Sequence, residues 1–419
     1  FSEDDVPLVH MPRFTKQQTD AMTAEEVCAH FQTGPLSRLT IGSDLTEPQL
    51  LALRVCLLQN RDLFAINDQR PGLVNKGGVR VDTGDAPPQV YPARPVMPHM
   101  RPLIQKHIDE MLKYGIIEHS SSPWGAAVLM VPKKVPKDHK GPPPMRFCLD
   151  YRLLNKHVKK DAYGLPRIND ALSSFAGNRF FSTWDCCAVA TEEDREKLAF
   201  RTFSGHYQPT RMPFGLVTAP AYYQRFMDMA LQGLSYNVCL CFIDDVIIFS
   251  STFEQHIKDI NAVFSALRKV GIHLKAKKSI VASTSVDYLG HVVTVDGIRP
   301  NADKIAAVQR SNPESRAELK AFCGLSSYYR RFIHKYADMV QPLTAFINSK
   351  LPWKGITRKM QEAIDAVKAS LTSGPILAHP DFTKPFLVQC DASPTAISAV
   401  LSQIHDGVEH PVVYSSRAL

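Results

Sequence analysis

Cys239-Leu240-Cys241-Phe242-Ile243-Asp244-Asp245-Val246-Ile247-Ile248-Phe249 is an apolar run with two adjacent carboxylates at its middle. Its β-branched and aromatic residues predict a β-hairpin over Val238–Ser250. Two uncompensated charges inside such a hairpin would be costly, so Asp244 and Asp245 need a turn facing water or a cation. Taken alone, a hairpin turn accounts for the pair as well as a metal site does, because Asp is a favoured turn residue.

A third carboxylate, Asp185, ends another apolar strand, Phe180-Phe181-Ser182-Thr183-Trp184-Asp185. Two strand ends that bring three acidic oxygens to one point meet the needs of a two-Mg²⁺ phosphoryl-transfer site. Mg²⁺ is hard and octahedral and takes a few carboxylates together with phosphate and water. Two such ions ~3.5–4 Å apart can activate an attacking hydroxyl and stabilise the leaving oxygen.

Around these strands the pattern predicts an α+β protein with an antiparallel sheet at its centre. Leu50, Leu51, Leu53, Leu57 and Leu58 mark a helix near Pro48–Phe64, and Ile104, Ile108, Met111 and Leu112 another that Gly115 stops. Strands are expected at Ala126–Val131, Met145–Leu149, Arg179–Trp184 and Leu198–Phe203. Helices are expected at Ala219–Leu231 and Phe253–Val270, with mostly helical structure onward to about Asn348, and strand character returns over Pro375–Val388. Val81-Asp82-Thr83-Gly84 has the D-[ST]-G pattern of aspartic proteases, but no strand-rich lobe surrounds it, and a solvated turn is the better reading.

The 419 residues carry 49 Lys+Arg against 41 Asp+Glu, a formal charge of +8, with 44% hydrophobic and 21% charged residues. These totals exclude disorder and fibrous repeats. The basic excess suits a polyanion without naming one. No apolar run approaches the ~18 residues of a membrane helix. FSEDDVPLVH carries no signal-peptide pattern and no initiator Met, so an excerpt of a longer chain is expected. Nine scattered cysteines without zinc spacing read as reduced thiols, with Cys186-Cys187 and Cys239/Cys241 expected to pack in apolar surroundings, and no structural metal is assigned.

In order along the chain come Ile116-Ile117-Glu118 through Ser122-Pro123-Trp124; Val131-Pro132-Lys133-Lys134; Arg146-Phe147-Cys148-Leu149-Asp150-Tyr151-Arg152-Leu153-Leu154-Asn155; Leu165-Pro166-Arg167-Ile168; Phe181-Ser182-Thr183-Trp184-Asp185; Met212-Pro213-Phe214-Gly215-Leu216 with Ala219-Pro220; and Phe242-Ile243-Asp244-Asp245. With these motifs the chain resembles the reverse transcriptase segment of the Pol polyprotein of gypsy-class LTR retrotransposons, and less closely retroviral reverse transcriptases. The resemblance implies a right-hand polymerase of fingers, palm and thumb. It assigns 1–95 to a leader after the protease region, 96–178 to fingers, 179–292 to palm with part of the fingers, 293–374 to thumb and connection, and 375–419 to the start of an RNase H-like α/β domain.

The activity implied is RNA-directed DNA synthesis, which transfers a nucleotidyl group from a dNTP to a primer 3′-hydroxyl on an RNA or DNA template with two Mg²⁺. By position, Asp185, Asp244 and Asp245 are the catalytic metal ligands that the resemblance implies. Lys133 and Arg146 resemble the cations that grip the triphosphate, and Phe214 and Gly215 the residues beside the nucleotide. Phe242 stands where the family usually has Tyr, near the primer end, and Tyr288-Leu289-Gly290-His291 resembles the primer grip. Lys275, Lys277 and Lys278, with the basic residues of a thumb helix at Tyr328–Lys335, are expected along a template–primer path. The tyrosines and Phe332 of that helix are expected in its core. The remaining partners implied are the other polyprotein segments (protease, RNase H, integrase), in the cytoplasm or within virus-like particles, with no membrane.

Two departures bear on activity. After Asp185 the family continues through a Gly-aromatic segment whose ring excludes a ribose 2′-hydroxyl. Here Cys186-Cys187-Ala188-Val189-Ala190-Thr191 runs almost directly into Glu192-Glu193-Asp194-Arg195-Glu196-Lys197. The alternative expectation is therefore a catalytically impaired nucleic-acid-binding remnant. Phe386–Ser393 resembles the first RNase H strand, with Asp391 its first carboxylate; its companions would lie beyond Leu419, which implies no RNase H activity.

Overall fold

Phe180–Cys187 and Asp245–Ser250 pair antiparallel at the centre of a six-stranded sheet. Cys239–Phe242 flanks them on one side and Ile280–Ser283, then Thr40–Ile41, on the other; His273–Leu274 pairs with the end of Phe180–Cys187. The structure, a computed structural model, describes residues 11–64, 80–92, 95–133, 140–187, 194–210, 212–213, 215–374 and 376–419.

The central strands read as continuous apolar runs because both faces of the sheet are covered. Side chains alternate across a strand. Phe180, Trp184, Val246 and Ile248 pack toward the helices Glu47–Gln59, Ala219–Ala230 and Phe253–Val270. Phe181, Ile247 and Phe249 face the opposite way, onto Phe175, Tyr288 and the helical region after residue 302. Each such fully buried side chain contributes roughly 1.5–3 kcal/mol by leaving water. Helix Phe253–Val270 starts at Thr252, whose hydroxyl accepts from the Gln255 N–H, and ends at Gly271 with φ 77°.

A second sheet joins Ile117–His119, His206–Pro209, Phe200–Arg201, Ala126–Pro132 and Met145–Asp150. It packs on helix Arg101–Lys113, which Gly115 terminates at φ 60°. A three-stranded meander of Leu387–Ala392, Ala396–His405 and Val408–Ala418 closes the described chain.

Several expectations need correction. The region after Val270 is not mainly helical at first, since Ser285–Tyr288, His291–Thr294 and Ile298–Pro300 form a three-stranded sheet before the helices start at Ala302. Valines at 286, 292 and 293 favour strands, and Gly290 and Gly297 supply left-handed turns at φ 74° and 149°. Helix Arg316–Tyr328 stops where a single helix through Lys335 was expected. A 3₁₀ turn, Arg330–Phe332, and Lys335 at φ 53° separate it from Tyr336–Asn348. The strand expected at Leu198–Phe203 shrinks to Phe200–Arg201 behind a 3₁₀ turn, Arg195–Leu198. The stretch Val81–Gly84 turns, but Val81 and Thr83 are buried. The Val81 N–H donates to Asp194 Oδ2 at 2.6 Å, so side-chain capture anchors it rather than solvent.

Candidate active site

Asp185 and Asp245 stand directly opposite one another in the central antiparallel pair. Asp244 precedes Asp245 in the hairpin turn, and its carbonyl accepts the Cys186 N–H at 2.9 Å. The two strand ends thus bring the three carboxylates to one edge of the sheet. Partial burial and the negative charges of Asp244 and Asp185 push Asp245 up to about 6.

Asp185 is nearly buried and both of its oxygens are taken. Lys275 Nζ lies 2.6 Å from Oδ1 and Lys278 Nζ 2.7 Å from Oδ2. Burial raises its carboxyl, but the hydrogen bonds and charges of the two lysines outweigh it and hold the group below the ordinary aspartate value. Lys275 is fixed a second time, because its backbone N–H donates to the Asp185 carbonyl at 3.0 Å. These two lysines were expected along a nucleic-acid path; here they face the carboxylate instead, while Lys277 is exposed.

Ile243 makes the turn possible at φ 57°, a costly value for a β-branched residue. Gln224, fully buried on helix Ala219–Ala230, holds it: Oε1 accepts the Ile243 N–H at 2.8 Å, and Nε2 donates to the Cys241 carbonyl at 3.0 Å and to Asp228 at 2.9 Å. Sequence reasoning missed Gln224. The available signal was a lone amide between the buried Tyr223, Phe226 and Met227 of one helix face. Phe242, half-buried, pairs with Asp245 across the hairpin.

Gly215 takes φ 99°, and its carbonyl accepts from Asn155 Nδ2 at 2.8 Å while Asn155 Oδ1 accepts the Val217 N–H at 3.0 Å. Asn155 closes the Arg146–Asn155 stretch, and its amide reaches the Gly215 loop. Phe214 lies outside the described residues, as do Lys134 and the segment Ala188–Glu193 after Asp185. Lys133 and Arg146 sit at the loop end of the hairpin Ala126–Pro132/Met145–Asp150, both exposed, with Arg146 opposite Val131.

The turn at Leu289-Gly290 uses two left-handed residues, φ 47° and 74°. Tyr328 Oη donates to the Leu289 carbonyl at 2.6 Å and Tyr329 Oη to the Gly290 carbonyl at 2.9 Å. Tyr288 itself is buried against Phe175, so as placed its ring cannot touch a primer and the turn backbone is what the hairpin presents. Tyr329 and Phe332 are core residues, whereas Tyr328 is exposed. Asp391 is exposed on Leu387–Ala392 and pairs with Lys335 Nζ at 2.5 Å, far in sequence from the three central carboxylates.

The donor set fits a hard divalent cation in its chemistry: three carboxylates, one of them pushed up by partial burial and by its neighbours' negative charge, both of which a cation would offset. Among the described residues, however, no three His, Cys, Asp or Glu side chains are placed so as to hold a metal ion.

A family model described as reverse transcriptase (RNA-dependent DNA polymerase) matches residues 131–293, and one described as RNase H-like domain found in reverse transcriptase matches 356–419. The chain is 37% identical over 361 residues to the retrovirus-related Pol polyprotein from transposon opus of Drosophila melanogaster, covering 82% of this chain and 36% of that protein. It is 38% identical over 340 residues to that of transposon 297, covering 78% and 31%. To the transposon Tf2-3 polyprotein of Schizosaccharomyces pombe it is 33% identical over 334 residues, covering 78% and 24%. The chain thus spans about a third or less of the length of these curated relatives. Among solved structures, the foamy viral protease-reverse transcriptase in complex with RNA/DNA hybrid aligns at TM-score 0.76 and 21% identity, covering 99% of this chain and 53% of that one. A form described as dRH, in complex with ds DNA, aligns at 0.79 and 21%, covering 98% and 69%. Identity that low shows the shared fold.

Proposed function

The chain belongs to the reverse transcriptase family of retrovirus-related Pol polyproteins, with an RNase H-like domain after the reverse transcriptase domain, and from that premise we propose that it synthesises DNA on an RNA or DNA template. Reverse transcriptases are generally divalent-metal dependent. Asp185, Asp244 and Asp245 would hold two Mg²⁺, which when bound would activate the primer 3′-hydroxyl and stabilise the leaving pyrophosphate. The observation that carries this reading is the register: Asp185 faces Asp245 across one strand pair, with Asp244 adjoining in the turn.

The chain's own residues set the geometry. Gln224 fixes the turn that aims Asp244 and Asp245. Lys133 and Arg146, exposed at the end of the fingers hairpin, reach toward the triphosphate, a charge-neutralising role that suits an ammonium and a planar guanidinium. Asn155 shapes the Gly215 loop beside the nucleotide, and the Leu289-Gly290 turn supports the primer end. RNA template, primer–template duplex and dNTPs are the ligands of this reading; protease, RNase H and integrase segments of the same polyprotein, in cytoplasmic particles, are its partners. No described helix is long and apolar enough to cross a membrane.

Primer extension on an RNA template with Mg²⁺ tests the proposal. Asp185→Asn and Asp244→Asn should each abolish synthesis while primer–template binding persists. A wild-type chain that binds duplex but extends nothing would overturn it in favour of a non-catalytic remnant.

A further inference from the structure

Both carboxylate oxygens of Asp185 are engaged by cations that the chain itself supplies, and the two cations are not equivalent. Lys275 is three-quarters covered and tied to Asp185 through its backbone N–H as well as its ammonium. Lys278 ends a 3₁₀ turn, Ala276–Lys278, that is anchored by the buried Ala276, but its own side chain is 66% exposed, so its ammonium can leave without disturbing the fold. Lys278 also lines a cavity of about 200 Å³ between the central strands and the hairpin, whose walls include Asp185, Asp245 and Asp287. Asp287 lies on Ser285–Tyr288, the strand that leads into the Leu289-Gly290 turn, with Oδ1 accepting from Asn301 Nδ2 at 2.9 Å. The cavity therefore offers one exposed ammonium carboxylates on two sides, Asp185 and Asp245 on the central strand pair and Asp287 on the strand before the Leu289-Gly290 turn.

We infer that Lys278 is a displaceable counter-ion that competes with the divalent cation for Asp185 and, once displaced, is taken up by Asp287. The inference rests on the reading of Asp185 as a metal ligand. A divalent ion and an ammonium cannot share one carboxylate oxygen at contact distance, so loading the site requires Lys278 to go. Asp287 makes that departure less costly and couples loading to the hairpin that would carry the primer end. Lys275, pinned by its backbone, stays as a positioning residue that keeps Asp185 oriented.

Mn²⁺ binding to the full chain, followed by electron paramagnetic resonance at fixed ionic strength, tests this without any turnover. Lys278→Gln should tighten Mn²⁺ about fivefold, the equivalent of about 1 kcal/mol. Lys278→Arg keeps the charge and should stay within about twofold of wild type. Asp287→Asn should weaken binding about threefold in the native background and have no effect in the Lys278→Gln background, because there is then no ammonium to receive. Weakening that persists in the double variant would reduce Asp287 to a general negative charge and overturn the uptake step. Unchanged or weaker Mn²⁺ binding in Lys278→Gln would overturn the competition. The two levels separate through Asp185→Asn. If that variant binds Mn²⁺ like wild type, the ligand reading fails and takes the inference with it. If it loses binding while Lys278→Gln changes nothing, the inference alone fails.

Discussion

The buried amide of Gln224 accepts the backbone N–H of Ile243 at 2.8 Å, so a helix on one side of the sheet holds the strained turn that presents Asp244 and Asp245. Removing the amide leaves that N–H without its acceptor, at about 1–3 kcal/mol, and frees the turn to relax. Gln224→Ala should lower the rate of nucleotide addition by about 100-fold, since small displacements of reacting groups cost that much. Single-turnover primer extension, with a melting curve to confirm folding, measures it. A loss under twofold would mean that the turn holds itself.

Asn155 clips the Gly215 loop through both ends of its amide. Asn155→Ala removes two hydrogen bonds of about 1 kcal/mol each. The expected result is a dNTP KM raised about tenfold with a smaller change in kcat. Asn155→Asp keeps the acceptor for the Val217 N–H and should fall between wild type and Ala. Steady-state kinetics with varied dNTP decides, and an effect on kcat alone would contradict a role in shaping the nucleotide site.

Gly290 combines φ 74° with a close neighbour, as a Cβ there would meet Tyr329 Oη at 3.2 Å. Gly290→Ala should destabilise by about 1–2 kcal/mol from the left-handed backbone alone, and Tyr329→Phe by about 1 kcal/mol from its lost hydrogen bond. The double variant should cost less than the sum by at least about 0.5 kcal/mol, because removing the hydroxyl opens the space that the methyl needs. Urea unfolding of the four proteins reads the coupling. Strict additivity would show that the contact is slack.

His256 is buried between Ser182 Oγ at 2.7 Å and Ser250 Oγ at 3.0 Å, and Ser250 donates to Asp259 at 2.6 Å. Burial pushes the imidazole down to about 3. The unfolded chain therefore binds a proton there that the folded chain refuses between the ordinary histidine value of about 6.5 and about 3. The stability that His256 contributes is complete above about pH 6.5 and falls as pH drops through this window, by up to about 1.4 kcal/mol per pH unit. His256→Gln should flatten that part of the stability profile. An unchanged slope between pH 6 and 4 in urea melts would refute the assignment.

The central strands, the hairpin Cys239–Ser250 and the helices were legible because their patterns are local. Apolar runs of strand formers, an amphipathic helix over Phe253–Val270 and paired acids at a turn need no distant partner to be recognised. The sheet at residues 285–300 was legible only in part, because its strands are three or four residues long and gain their stability from the helical layer beneath them. The break after Tyr328 was not legible at all: its tyrosines are spent on carbonyls of a turn 39 residues earlier.

By itself the sequence determined that Asp185 ends one strand, that Asp244 and Asp245 sit where a hairpin turns, and which family the chain resembles, since residue type and order carry that information. Only the tertiary structure decided what surrounds them. Lysines that read as nucleic-acid contacts fold back onto Asp185, and an amide hidden in a helix governs the Asp244-Asp245 turn. Such pairings join residues 19 to 93 positions apart. They are fixed by how the sheet, the hairpin and the helices pack, which no local pattern encodes.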